Sequence, residues 1–500
     1  MRNQGTGSWI HRRRVKSAGR PALVAGDRTI TYDVLADRID RLTHALAARG
    51  VTAGDRVAYL GENHPAFVET LFATGCVGAI LVPLNTRLAP PEIAYQLNDS
   101  GAALLIHADE SGAIAEAAAG RIPRIAVGGS PGGAEEYDDV VGAARAGFAD
   151  LPVALNDPAL IMYSSGTTGH PKGAVLSHGN ITWNSLNILV DYDLTSSAVA
   201  LMISPMFHAA ALGMGVLPVL LKGGCVVLEP RFDAGRALRL IARHRVTSLS
   251  GVPTTFQLIC EHTDWETTDL SSLTMLTCGG APVPERVRVA YEERGLAFTG
   301  GYGMTETSPG ATSLPPRYSQ ARSGSAGLAH FFTDVRVVDG EGQPAVPGAA
   351  GEVQIHGPNV VAGYWNRPEA RTTTFTDDGW LRSGDIGHLD EDGFLYISDR
   401  VKDMIISGGE NIYPAEVEQV ILEIGAVAAV AVVGVPDETW GEVPRAYVEA
   451  REGHSVTGEE IRAHLDGRLA RYKIPRQVVM VAELPRTATG KVLKRALRQH

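Results

Sequence analysis

A run of hydroxyl-bearing and glycine residues that closes on a lysine, Ser164-Ser165-Gly166-Thr167-Thr168-Gly169-His170-Pro171-Lys172-Gly173, follows the apolar stretch Leu160 to Tyr163. Glycines let backbone N–H groups approach a bound anion, hydroxyls add donors and one ammonium adds charge, so this run is suited to cradling phosphates. The Walker A loop is the first pattern to test against it. It fails at two positions. Pro171 stands where that loop needs a glycine N–H, and Gly173 stands where it needs the Ser or Thr that holds Mg2+. A P-loop nucleotidase is therefore excluded, and any metal ligand must come from elsewhere in the chain.

Five further strings downstream carry usable chemistry. Cys278-Gly279-Gly280-Ala281-Pro282 is a turn after an apolar strand, and Gly301-Tyr302-Gly303-Met304-Thr305-Glu306 joins an aromatic face, a hydroxyl and a carboxylate. An aromatic face suits a base and a carboxylate suits a hard cation. Arg382-Ser383-Gly384-Asp385-Ile386-Gly387 offers a two-oxygen acceptor. Asp399-Arg400-Val401-Lys402-Asp403 leads through Ser407-Gly408-Gly409 to Tyr413-Pro414, and Pro485-Arg486-Thr487-Ala488-Thr489-Gly490-Lys491 ends on a lysine. Taken singly, Tyr302 reads as core packing, Glu306 as a solvated carboxylate and Lys491 as a surface charge.

Together and in this order, the six strings resemble those of the acyl-adenylate-forming, or AMP-binding, superfamily, which includes acyl-CoA synthetases, firefly luciferase and the adenylation domains of peptide synthetases. The likeness is strongest to bacterial fatty-acyl-CoA synthetases, through Met404 to Glu416 and Gly363-Tyr364-Trp365-Asn366-Arg367-Pro368-Glu369. It implies an AMP-forming ligase that makes an acyl-adenylate from ATP and a carboxylic acid, with Mg2+, and then passes the acyl group to coenzyme A. By the same resemblance the loop Ser164 to Lys172 holds the β and γ phosphates, and Gly280, Ala281 and Pro282 flank the adenine. Tyr302, within the motif of Gly301, Gly303 and Met304, stacks on the base; Thr305 bonds phosphate and Glu306 coordinates Mg2+. Asp385 accepts the ribose hydroxyls and Arg400 reaches ribose or phosphate. Lys402 is the hinge, Ser407, Gly408 and Gly409 face the pantetheine arm, and Lys491 is the adenylation lysine.

Pro205-Met206-Phe207-His208-Ala209-Ala210 resembles the segment beside the acyl pocket, where amino-acid-activating relatives carry an aspartate near the position of His208. A histidine is not a fixed anion, which disfavours an amino-acid substrate and leaves His208 to gate the pocket near the carboxylate. The stretches 209–220 and 251–260 contain no Lys or Arg, so an uncharged acyl tail is expected over a dicarboxylate. Met214, Val252 and Phe256 suit an apolar tail, and core packing explains them equally well. An aromatic-acid:CoA ligase shares everything but pocket shape. A ligase that loads a separate carrier protein shares the first half-reaction, although no Gly-x-Asp-Ser-Leu carrier site occurs. A non-catalytic nucleotide-binding homologue would show damage at Thr305, Glu306, Asp385 or Lys491, and all four are intact.

The elements that must position these strings read as an α/β fold. Tyr32 to Arg49 and Pro65 to Val77 have helical patterns, Arg56 to Leu60 and Ala79 to Pro83 read as strands, and the alternation returns from Ala159 to Gly303 as parallel βαβ units. After Gly324 short strands and turns predict a β-rich subdomain at about 324–398. The expected organisation is a large N-terminal domain over 1–398, made of layered α/β subdomains and that β-rich piece, a hinge at 399–402 and a small mobile α+β domain over 403–500. A net charge of -11 argues against a nucleic-acid partner. The four cysteines suggest neither zinc nor disulfides and fit a cytoplasmic protein. The longest apolar runs, Leu71 to Leu84 and Ala209 to Leu221, are too short for a membrane span; the cluster His11 to Arg14 leaves room only for peripheral contact with acidic lipid.

Overall fold

The computed structural model describes residues 2–129, 131–164, 171–279, 283–400, 403–407, 410–412, 414–437, 440–466, 468–469, 471–486 and 492–498. The chain divides into two compact units, Met1–Val335 with Ile355–Leu381, and Arg336–Gln354 with Arg382–His500. The boundary expected at 399–402 falls inside the second unit. Strand Leu395–Arg400 pairs with strand Leu381–Leu389 and also neighbours helix Pro414–Leu422; of the β region, 336–354 and 382–398 group with the residues that follow, while 324–335 and 355–381 stay with the first unit.

The first unit contains a seven-stranded and a nine-stranded sheet. In the seven-stranded sheet Arg56–Leu60 runs parallel to Ile80–Leu84, which runs parallel to Pro158–Ser164. Helix Pro65–Val77 is buried along its whole length, as its nearly unbroken apolar sequence requires. Proline opens it, the His64 ring accepts from the Ala66 N–H at 3.1 Å, and Gly78 closes it at φ +81°. Its one charge, Glu69, is fully buried and is answered by Arg38 at 2.6 and 3.1 Å and by the Tyr137 hydroxyl at 2.7 Å.

The nine-stranded sheet has a parallel centre, with Cys225–Leu228, Val199–Met202, Ser248–Gly251, Met275–Cys278 and Phe298–Gly303 side by side. Strand Gly310–Leu314 then adds antiparallel to Phe298–Gly303. The aromatic core behind it holds Phe256, Trp265, Tyr291 and Phe298.

The basic helix Ser8–Lys16 is tied into this unit. Arg12 Nε donates to Ser8 Oγ at 3.3 Å, Arg13 Nε donates to the Leu221 carbonyl at 2.7 Å and Arg14 pairs with buried Asp40 at 3.1 Å, which gives all three arginines intramolecular partners. Among the described residues no helix is long and apolar enough to cross a membrane. All four cysteines are free thiols, and burial pushes Cys76 up to about 12.

In the second unit a four-stranded antiparallel-edged sheet carries Leu381–Leu389 beside Leu395–Arg400, and a five-stranded sheet centres on the long hairpin Val427–Asp437 with Gly441–Ala450. Helices Pro414–Leu422 and Gly458–Leu465 bury Val417, Ile421, Ile461 and Leu465 in the core of that second sheet.

Candidate active site

Parallel strands bring their carboxyl ends to one edge of a sheet, where the loops that follow them can share a ligand. The register aligns Gly251, Cys278 and Gly300 across three neighbouring strands. The chain leaves that edge at Val252, at Gly279 and, past the longer strand Phe298–Gly303, at Met304, and the next strand, Val199–Met202, leads to His208. Strings scattered over a hundred residues of sequence thus become neighbours. Gly280, Ala281 and Pro282 lie outside the described residues.

The turn after Phe298–Gly303 is pinned by a few short bonds. The Met304 N–H donates to Thr307 Oγ1 at 3.0 Å, and that hydroxyl donates to the Pro309 carbonyl at 2.6 Å. Asn359, fully buried, donates to the carbonyls of Thr307 at 2.9 Å and Gly310 at 2.7 Å. The result is a one-turn 3-10 helix, Thr305–Thr307, with Glu306 on it. Half-buried Tyr302 and Thr305 flank the carboxylate on the same motif.

Glu306 is only 8% exposed, so it is no solvated surface carboxylate. The Tyr364 hydroxyl donates to its Oε1 at 2.8 Å, and the Ser164 hydroxyl lies 3.4 Å from the same oxygen. Lys172 Nζ sits 5.5 Å from the centre of the Tyr364 ring. Ser164 and Lys172 are themselves paired across the hairpin formed by Pro158–Ser164 and Lys172–Ser177, so one end of the glycine-rich run lies by Glu306 and the other by Tyr364. Ser165, Gly166, Thr167, Thr168 and Gly169 lie outside the described residues. Burial, then the nearby Glu306 charge, raises the Tyr364 hydroxyl far above its ordinary value, and it stays a donor at any working pH. Tyr163 is raised likewise by burial and by its 2.8 Å bond to Asp99, which in turn pairs with Arg367 at 2.9 Å.

This donor set fits Mg2+. Both hydrogen bonds that Glu306 makes among the described residues fall on Oε1, and a Mg2+ that shares phosphate oxygens asks the protein for only one or two carboxylates. Among the described residues no group of three or more His, Cys, Asp or Glu side chains gathers as a structural zinc site would require.

On the acid side, His208 is half-buried, its ring edge-on to Phe207 at 4.6 Å, and its carbonyl accepts from Leu212 N–H at 3.2 Å. The following stretch, Ala211–Val216, is a π-helix, a widened turn that is frequent at functional sites, and it carries Met214. Its glycines allow close packing: a Cβ on Gly215 would lie 2.3 Å from Met202 Cε, and one on Gly213 2.4 Å from Pro309 Cδ. Val252 is 44% exposed where the chain leaves strand Ser248–Gly251. Phe256 is different. It is fully buried against Tyr291 and Phe298, so the structure assigns it to the core and not to the pocket.

In the second unit Asp385 is buried, with Ser383 Oγ accepting its N–H at 3.0 Å, and the register places it opposite Arg400 on the adjacent strand. Ser407 ends strand Ile405–Ser407 and pairs with Glu410. Arg486 bridges Val492, and Leu493 N–H donates to Pro485 O at 2.7 Å, which closes the base of the segment that includes Lys491. Lys402, Gly408, Gly409 and Lys491 lie outside the described residues, as does the Arg400 side chain.

Tyr364 and Asn359 are the site residues that spacing did not find. The string Gly363 to Glu369 stood out in the sequence, yet nothing local says that its tyrosine faces a carboxylate 58 positions earlier.

Comparison with known proteins agrees with this geometry. A feruloyl-CoA synthase of Amycolatopsis is 51% identical over 500 residues, covering 100% of this chain and 99% of that one. A long-chain fatty-acid–CoA ligase of Mycobacterium tuberculosis is 37% identical over 95% of this chain and 93% of its own. Among solved structures, the o-succinylbenzoate–CoA synthetase of Bacillus subtilis in complex with ATP and magnesium superposes with a TM-score of 0.89 at 34% identity, over 99% of each chain. The AMP-binding enzyme family model matches residues 10–365 and the model of its C-terminal domain residues 416–491. Since the first match spans Ser164, Glu306 and Tyr364, and the second takes in the C-terminal sheet through Lys491, this chain belongs to the AMP-binding enzyme family.

Proposed function

We propose that the chain is an AMP-forming acid–CoA ligase and that its acid is aromatic, of the hydroxycinnamate kind. The observation that carries the acid assignment is the end-to-end match to a feruloyl-CoA synthase, well above the match to a long-chain fatty-acid ligase. The absence of Lys and Arg from 209–220 and 251–260 supports an uncharged tail. A fatty acid is the second reading, favoured by the string Gly363 to Glu369 and by the mycobacterial relative.

In the first half-reaction a carboxylate oxygen of the acid attacks the α-phosphorus of ATP in line, and the bond to pyrophosphate breaks. The protein's part is positioning and charge neutralisation. Lys172 and the hydroxyls from Ser164 onward hold the departing phosphates, Tyr302 stacks on adenine, Thr305 bonds phosphate, and Lys491 bridges the carboxylate and the α-phosphate. Glu306 would hold Mg2+, which when bound neutralises charge on the pyrophosphate. Asp385 and Arg400 would hold the ribose. In the second half-reaction the CoA thiol loses its proton, its sulfur attacks the acyl carbon, and AMP leaves. A turn at Lys402 would bring Ser407, Gly408 and Gly409 to the pantetheine arm, with His208 beside the acyl group.

The test is a pyrophosphate-release assay across ferulate, 4-coumarate, cinnamate, octanoate and palmitate, with and without CoA. Hydroxycinnamates should exceed the fatty acids by at least ~10-fold in kcat/KM. Omitting CoA should leave a burst of about one pyrophosphate per enzyme. Preference for octanoate or palmitate would overturn the aromatic assignment, and undiminished turnover without CoA would overturn CoA as acceptor.

A further inference from the structure

We infer that Tyr364 is a positioning residue for adenylation, its hydroxyl fixing the Glu306 carboxylate and its ring seating the Lys172 ammonium, so that these two opposite charges stay apart and available to metal and phosphate. The inference rests on the reading of Glu306 as the Mg2+ carboxylate and goes beyond it.

The backbone places Tyr364 before its side chain acts. Val175 N–H donates to the Gly363 carbonyl at 3.2 Å and Trp365 N–H to the Gly173 carbonyl at 2.8 Å, which sets Tyr364 opposite Ala174 as an added antiparallel bridge on the strand that begins at Lys172. Arg367, three residues on, is anchored to Asp99 at 2.9 Å. Upstream, Val361 N–H donates to the Glu306 carbonyl at 2.9 Å. The segment 361–367 therefore holds Glu306 by main chain and side chain together, and holds the phosphate-loop strand by its other edge.

The chemistry of the tyrosine matches the two groups it separates. A phenol edge donates to an anion, while the ring face attracts a cation within about 6 Å. Lys172 at 5.5 Å uses the face and Glu306 at 2.8 Å uses the edge. Among the described residues no ion pair joins Lys172 to Glu306. Such a pair would neutralise the ammonium meant for phosphate and the carboxylate meant for metal. Tyr364 satisfies both without joining them.

The experiment is calorimetric binding of ATP to the full chain, with Mg2+ and with EDTA, for wild type, Tyr364→Phe, Tyr364→Leu and Glu306→Gln. The readout is the gain in ATP affinity that Mg2+ confers. Tyr364→Phe removes only the hydroxyl and should reduce that gain about 10-fold, with ATP affinity in EDTA unchanged. Tyr364→Leu also removes the ring, freeing Lys172 to pair with Glu306, and should weaken ATP binding in EDTA as well. Glu306→Gln should reduce the Mg2+ gain at least as far as Tyr364→Phe does. A wild-type Mg2+ gain in Tyr364→Phe beside a lost gain in Glu306→Gln overturns the role of Tyr364 alone. A wild-type gain in Glu306→Gln overturns the metal reading and this inference with it. Because the phenylalanine variant removes a single oxygen, it decides the matter even where the leucine variant melts early.

Discussion

Lys491→Ala should abolish acid-dependent ATP–pyrophosphate exchange while leaving thioester formation from supplied acyl-adenylate nearly intact. The expectation follows from where charge develops. During adenylation negative charge gathers on the α-phosphate as a second anion, the carboxylate, approaches it, and one ammonium bridging the two offsets repulsion that no neutral side chain could. Loss of such a contact in a desolvated site slows the step by on the order of 10³-fold. In thioester formation the acyl carbon is already activated, and on the proposed division of labour the incoming sulfur would need the space the lysine would have held. Measuring both half-reactions on one preparation separates the roles. Equal loss in both would remove Lys491 from this division of labour.

Gly303→Ala should cripple adenylation without touching any group that contacts substrate. A Cβ at Gly303 would lie 1.8 Å from the Pro309 carbonyl oxygen and 2.9 Å from its carbon, and backbone atoms cannot rotate aside as a side-chain tip can. That same carbonyl accepts from Thr307 Oγ1 at 2.6 Å, the bond that folds the turn carrying Thr305 and Glu306. The methyl must push the turn open. Overpacking of this kind lowers stability by about 1–3 kcal/mol, and a catalytic group displaced by ~1 Å slows reaction about 10²-fold. Gly301→Ala is the matched control, since its nearest neighbour is the Thr312 carbonyl oxygen at 3.0 Å, tight but within reach of a small shift. The alanine at 301 should keep adenylation within ~10-fold of wild type. Wild-type exchange rates in Gly303→Ala would show that the turn is looser than its bonds imply.

Local pattern made much of this molecule legible. Helix Pro65–Val77 and strand Arg56–Leu60 are where periodicity and turn residues place them, because each is specified by its own few residues. The motifs at 164–172 and 301–306 were visible for the same reason, and the family match accords with them. What was not legible depends on distant partners. The β-rich region is divided, 336–354 and 382–398 grouping with the C-terminal residues through strand pairing and helix Pro414–Leu422 and the rest staying with the first unit, and neither outcome is written near Asp399. Phe256 sits in an apolar stretch that suits a pocket or a core equally, and only Tyr291 and Phe298 closing on it decide for the core. The burial of Glu306 and its bond to Tyr364 arise from two turns brought together by separate sheets.

The proposed reaction joins a carboxylate oxygen of an aromatic acid to AMP before the acyl group reaches CoA. The direct measurement is turnover of ferulate labelled with ¹⁸O in its carboxylate, with ATP, Mg2+ and CoA, followed by mass analysis of the products. The account predicts feruloyl-CoA and AMP in equal amounts, each AMP carrying one labelled oxygen and the pyrophosphate carrying none. Label in inorganic phosphate with release of ADP, or failure to turn over ferulate while palmitate yields labelled AMP, would contradict it.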